Sequence, residues 1–147
     1  MPKILSLALL ILLLRCNGKK TIATSKNENT PTENKILINE VWALTEMLGT
    51  PISDEMEKRP QLEFNSKASS FSGNNGCNQI MGNLKELTNT DVQFGMINET
   101  RMACKEMKLS STFLSQLRET RHYKIADLNL TLTDSNGKVL LLFKKME

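Results

Sequence analysis

The sequence predicts an α+β, mainly β domain: a single antiparallel sheet curved into a half-barrel or barrel and packed against one α-helix. Three observations predict it. Short runs in which apolar and polar residues alternate recur along residues 36–147, as half-buried strands require. One stretch, near residues 106–119, changes to helical spacing. The connections are rich in Gly, Asn, Asp and Ser, which bend the chain because they tolerate positive φ or bond their own backbone. One helix and one sheet can bury their apolar faces only against each other.

Val41, Trp42 and Leu44 open the first strand, which runs towards Gly49-Thr50-Pro51, and Trp42 is expected as a core anchor under the sheet. A polar loop holding Asp54, Glu55 and Glu57 follows. Leu62 and Phe64 alternate with Gln61 and Glu63, a half-buried strand. Asn65-Ser66-Lys67 turns the chain into a strand from Ala68 to Gly73, where Ala68, Ser70 and Ser72 alternate with Ser69 and Phe71. Gly73-Asn74-Asn75-Gly76-Cys77-Asn78 is expected as a loop, because its residue types tolerate positive φ. Gln79 to Leu87 and Val92 to Met96 give two more strands around the turn Thr88-Asn89-Thr90-Asp91.

Leu109, Phe113, Leu114 and Leu117 then fall at helical spacing, with Ser110, Gln116 and Arg118 expected on the other side. The helix is expected from near Glu106 to Glu119, about three turns. Leu128, Leu130 and Leu132 alternate with Asn129, Thr131 and Thr133. Val139, Leu141 and Phe143 answer them across Asp134-Ser135-Asn136-Gly137. Asn-Gly between two alternating runs is the strongest short-range hairpin signal.

A chain of 147 residues suits one domain with appendages. With Lys3 and Arg15 of the leader set aside, 17 basic residues face 16 acidic ones. That balance excludes a nucleic-acid binder, which needs a basic stripe to neutralise phosphates. The leader itself is a short positive n-region, Pro2-Lys3, and an apolar run of eleven residues from Ile4 to Leu14 broken only by Ser6. A membrane span needs ~20 such residues, so the run has the length of a signal-peptide core instead. Residues 1–15 are expected to be a signal peptide.

Leu13-Leu14-Arg15-Cys16 resembles a bacterial lipobox, with Arg15 departing from the small residue preferred before the Cys. The resemblance implies cleavage before Cys16 and acylation of Cys16, several chains together giving stable anchoring. Residues 17–35 carry no aromatic residue and many Asn, Thr, Lys and Glu, too little apolar surface to offset the entropy of ordering. Residues 16–35 thus read as a lipidated Cys and a disordered tether reaching about 24 Å on average. The expected location is the bacterial cell envelope, outer-membrane-anchored or periplasm-facing.

Within residues 36–147 the motifs Trp42-Ala-Leu44, Leu62-x-Phe64, Ser72-Gly73-x-x-Gly76-Cys77-Asn78-x-x-x-Gly82, Glu99-Thr100-Arg101-Met102-Ala103-Cys104, Phe113-Leu114-x-x-Leu117 and Leu130-x-Leu132-x-Asp134-x-x-Gly137 follow in order. Together they resemble the META domain, the family of the heat-shock protein HslJ. The resemblance implies a β-rich half-barrel on a helix, an envelope protein linked to stress, and no enzymatic activity. It also marks Gly73, Gly76, Asn78, Gly82, Thr100, Arg101 and Met102 as family motif residues, structural or binding in role.

Candidate chemistry is sparse. Cys77 and Cys104 remain once Cys16 is assigned to lipid, and an even pair in an exported domain suggests a disulfide. Two buried thiols and a redox dithiol are the other readings. A single His, His122, beside Tyr123 at a strand entrance, gives no close-spaced ligand pair, so neither metal nor cofactor is expected. Asp54, Glu55 and Glu57 read as a solvated loop, and Asp134–Gly137 as a turn rather than a calcium loop. Arg101 is expected to bond carbonyls of the Gly-rich loop and so tie the two motif segments, with an anion contact as the functional alternative. The expected function is a non-enzymatic, stress-related accessory or interaction module with an envelope protein partner. The alternative is a carrier holding a small hydrophobic ligand or lipid beside Phe64, Leu84, Phe94 and Leu117, and a third reading is a thiol redox sensor.

Overall fold

A computed structural model describes residues 37–105 and 107–147. The leader, Cys16 and the tether lie outside the described residues, as does Glu106. The strands are β1 (Val41–Met47), β2 (Thr50–Pro51), β3 (Gln61–Asn65), β4 (Ser70–Asn74), β5 (Gln79–Leu87), β6 (Val92–Glu99), β7 (His122–Ala126), β8 (Asn129–Thr133) and β9 (Val139–Lys145). The helix α1 (Met107–Glu119) lies between β6 and β7 in the chain.

All strand pairs are antiparallel and build one sheet in the order β6-β5-β4-β3-β1-β9-β8-β7, with β2 appended to β1. The two outer strands curl towards each other. They touch at one end, where Asp91 bridges His122, the Val92 amide donates to the Arg121 carbonyl at 3.0 Å and the Tyr123 amide to the Thr90 carbonyl at 2.7 Å. The result is a half-barrel closed at that seam. The helix fills its concave side, with the Phe113 ring tilted against Phe143 at 6.2 Å.

The alternation at Leu62 and Phe64 holds, both being buried. Trp42 is 1% exposed, and its indole N–H donates to the Ile38 carbonyl at 3.0 Å, so the one polar atom of the ring is satisfied as it leaves water. Asn136-Gly137 forms the expected hairpin turn between β8 and β9. Asp134 Oδ1 accepts from the amides of Asn136 and Lys138, and Gly137 takes a φ of +80°.

Several expectations are corrected. Ser110 and Gln116 are buried rather than solvated, and only Arg118 of the three faces water. A helix lying in a concave sheet is wrapped over more of its circumference than the ~100° stripe of a helix on a flat surface. Leu128 is exposed, because it belongs to a two-residue turn and not to β8. Val139 is exposed too: a register shift between Leu132 and Thr133 changes the parity of the pairing, and Leu140 is buried beside Leu141 and Phe143. β4 begins at Ser70 rather than Ala68 and runs through Gly73, the expected end of that strand, to Asn74, so Asn74 is strand rather than loop. β6 continues past Met96 to Glu99.

Gly73 can be strand because it has no side chain. It sits between Leu62 of β3 and Ile80 of β5, and a Cβ there would lie 2.0 Å from the Gln61 carbonyl oxygen. Gly82 faces the same constraint, its Cβ position being 2.1 Å from the Met96 carbonyl oxygen and 2.8 Å from the Phe71 ring. Both family-motif glycines thus let backbones meet closely in the sheet.

Candidate functional site

The two motif segments meet at the end of the β5–β6 hairpin and close like a clasp. The ladder ends with Ile80 opposite Glu99. One step beyond, the Thr100 amide donates to the Gln79 carbonyl, and the Gln79 amide donates to Thr100 Oγ1, both at 3.1 Å. At the next step Asn78 Oδ1 accepts from Thr100 Oγ1 at 3.1 Å and from the Met102 amide at 2.7 Å. The last step is covalent: Cys77 and Cys104 form a disulfide, with their Cα atoms 5.7 Å apart. The reading of two separate buried thiols does not apply.

The Gly-rich side of the clasp is folded around Asn75, which is fully buried. Its Oδ1 accepts from the amides of Cys77 and Asn78 at 3.0 and 2.7 Å, and its Nδ2 donates to Glu99 Oε2 at 3.1 Å. A buried amide with its donors and acceptors matched fixes one loop conformation, since any other would strand polar atoms away from water. Gly76 makes the turn at a φ of +90°, and the Leu109 side chain and Pro60 close over it. Lys58 reaches in from the preceding loop and donates from Nζ to the Cys77 carbonyl at 2.6 Å.

Arg101 does not tie the segments together. It is exposed, and none of the described hydrogen bonds or ion pairs involves it. Asn78 performs that task instead, because its amide oxygen points along the strand towards Met102, whereas the Arg101 side chain is carried out to solvent. Met102 contributes its backbone to the clasp and leaves its side chain 57% exposed. Asn75 and Lys58 had no signal in the sequence that set them apart from other loop residues.

A concavity of about 690 Å³ opens over the disulfide. The loop from Ser53 to Lys58 forms one wall, Met102 to Lys105 the other, and Gly76 and Cys77 the floor. Met56 and Met102 face it across a rim carrying Glu55, Glu57 and Lys105. Asp54, Glu55 and Glu57 are exposed, as a solvated loop should be, and Asp54 pairs with Arg59. Among the described residues no group of three or more His, Cys, Asp or Glu side chains is placed to hold a metal ion.

His122 lies elsewhere, on the seam, with Nδ1 2.5 Å from Asp91 Oδ1. That contact, with hydrogen bonds from Thr88 and Thr90, holds the Asp91 carboxyl below the usual carboxylate range. The neighbouring Tyr123 hydroxyl donates to the Thr88 carbonyl at 2.8 Å, and burial followed by the Asp91 charge pushes its pKa up to about 12. Phe64, Leu84, Phe94 and Leu117, expected to line any ligand cavity, are buried in the core and line neither of the two concavities described. Phe94 fills the space between Phe64 and Phe71, its ring centroid 6.0 and 4.9 Å from theirs. No helix among the described residues is long and apolar enough to cross a membrane.

The family model of the META domain matches residues 35–147. The chain belongs to the META-domain family. The META fold also recurs in solved structures. One, determined by NMR for a protein from Burkholderia xenovorans, is 21% identical, with a TM-score of 0.61 over 80% of this chain and 88% of that one. A second NMR structure is 24% identical, with a TM-score of 0.59 over 79% and 94%. The crystal structure of a DUF4847-family protein from Bacteroides vulgatus ATCC 8482 is 16% identical, with a TM-score of 0.56 over 78% and 99%. At these identities the likeness is one of fold. No curated protein matches the chain in sequence. In this META domain the motif residues Gly73, Gly76, Asn78, Gly82 and Thr100 build the clasp and its surroundings, while Arg101 and Met102 are the side chains it displays.

Proposed function

We propose that this is a bacterial envelope lipoprotein, anchored by acyl chains on Cys16, whose META domain acts without turnover of a substrate as a stress-related contact module for another envelope protein. The observation that carries the reading is the contrast between the clasp and what it displays. A disulfide and the buried Asn75–Asn78 network hold a segment rigid, yet the Arg101 and Met102 side chains on it point to solvent beside an open concavity. A polarizable, unbranched Met at a rigid rim suits an adaptable protein contact. Rigidity of the displayed segment lowers the ordering cost of binding. The leader pattern and the lipobox-like Leu13–Cys16 support the envelope location and the anchor.

The carrier alternative would need open volume beside Phe64 and Phe94, where the rings pack against one another. The redox-sensor alternative would need the Cys77–Cys104 bridge to open and close in the cell.

A photo-crosslinking side chain at Met102 of the full chain in living cells tests the proposal, with Met96, on the outer face of β6, as the control. A discrete protein adduct at position 102 that is absent at 96 and lost when the disulfide is removed is the expected result. Purification of the native protein with a stoichiometric hydrophobic ligand, and no adduct at either position, would overturn it in favour of the carrier.

A further inference from the structure

The end of the half-barrel where the described chain begins carries an apolar rim with an unusual construction. Asp127 and Leu128 connect β7 to β8 as a two-residue turn, both with positive φ, 49° and 64°. Such turns favour Asn or Gly, and a leucine there carries a steric cost. Leu128 is nevertheless 57% exposed, so burial does not offset that cost. The rim continues from it. The Lys145 amide donates to the Leu128 carbonyl at 2.8 Å and the Met146 amide to the Val41 carbonyl at 2.9 Å, which sets the exposed Met146 and Val41 beside Leu128. Leu37, also exposed, and Leu128 both line a concavity of about 280 Å³ that the buried Trp42 and Ile125 share with Asp127 and with the Lys145–Glu40 ion pair, whose Nζ–Oε1 distance is 2.8 Å.

What lies over this rim follows from where the chain enters. Leu37 is the first described residue, and Cys16 lies 21 positions before it. The described part of the domain therefore begins at this rim. We infer that this rim is the face that rests on the lipid bilayer, Leu37, Val41, Leu128 and Met146 entering the boundary between headgroups and acyl chains. The inference rests on the anchored reading above. Membrane affinity of such a face scales with its buried apolar area, so a small rim binds weakly alone and is recruited once acyl chains hold it at the surface. The clasp lies at the other end of β3 and β4, where Gln61 pairs with Asn74, while Val41 and Asn65 mark the rim end. A bilayer at the rim leaves Arg101 and Met102 turned away from it.

Leu48 provides an internal control. It too is an exposed leucine at positive φ, 52°, in a two-residue turn, but at the opposite end of β1. The test places an additional Trp at position 128 or 48 (Leu128→Trp, Leu48→Trp) of the full exported chain. The purified protein is reconstituted into vesicles of brominated phosphatidylethanolamine and phosphatidylglycerol, and its intact mass is recorded beside its fluorescence. The expected result is acyl mass on the chain and at least threefold more quenching of the Trp at 128 than of the one at 48, relative to unbrominated vesicles. An acylated chain with equal quenching at both positions overturns this inference and leaves the anchor standing. Quenching at neither position, with a concentration-dependent dimer in sedimentation, assigns the rim to a second copy. A chain without acyl mass overturns the anchored reading and this inference with it.

Discussion

Opening the Cys77–Cys104 bridge separates the covalent part of the clasp from the hydrogen-bonded part. The two cysteines are 27 positions apart. In the chain-entropy account a loop of that size restricts the unfolded ensemble enough to stabilise the native state by roughly 3–4 kcal/mol. For a domain of about 110 residues that corresponds to a fall in Tm on the order of 15 °C. Urea unfolding followed by the fluorescence of Trp42, the single tryptophan, reads the loss directly. The oxidised chain should unfold at the highest urea concentration and the reduced chain well below it. The double variant Cys77→Ala/Cys104→Ala should unfold lower still, by about 1 kcal/mol, because Cys77 is 1% exposed and truncating it also removes packing. The unfolding slope should rise on reduction, since the freed chain exposes more surface when it unfolds. A loss below about 1 kcal/mol on full reduction would refute the reasoning, for it would mean that the bridge constrains an unfolded chain that is already held together.

Three further perturbations test the same structure. Asn78→Ala strands the Met102 amide and should cost about 1–3 kcal/mol in urea midpoint, while Arg101→Ala in the same motif should stay within about 0.5 kcal/mol; equal losses would contradict the assignment of the tie to Asn78. Gly82→Ala must push a Cβ against the Met96 carbonyl and the Phe71 ring, and a loss of about 2–3 kcal/mol is expected; a neutral result would show that the β5–β6 pairing yields easily. Tyr123 is the single tyrosine, so ultraviolet titration reads it alone. Its native midpoint should lie near 12 against about 10 in urea. Because the folded state holds that proton longer, the contribution of Tyr123 to stability is full below pH 10 and is lost as pH rises towards 12. A native midpoint near 10 would contradict its burial.

The fold was largely legible because local signals and global topology agree. Asn136-Gly137 fixes a hairpin by backbone chemistry, and the alternation at Leu62 and Phe64 marks a strand with one wet face. Where the signals misled, tertiary structure outweighed them. Ser110 and Gln116 are polar by type but buried by the curvature of the sheet around α1. Leu128 and Val139 are apolar by type but exposed, one in a turn and the other behind a register shift. The seam between Asp91 and His122 joins residues 31 positions apart, which no local pattern encodes. The motif was visible, yet its internal roles were not. Asn78 and Arg101 are both polar residues in a matched pattern, and only the path of the strands shows that one turns its side chain along the clasp and the other away from it.

The structure shows a domain stapled at one end by the Cys77–Cys104 bridge, and the proposal adds a lipid anchor reaching it at the other. Intact mass of the native protein, before and after reduction and thiol alkylation, tests that description most directly. The expected mass is that of a chain starting at Cys16 with acyl groups added, showing two alkylatable thiols only after reduction. A chain that retains its leader, or whose two thiols alkylate without reduction, would contradict it.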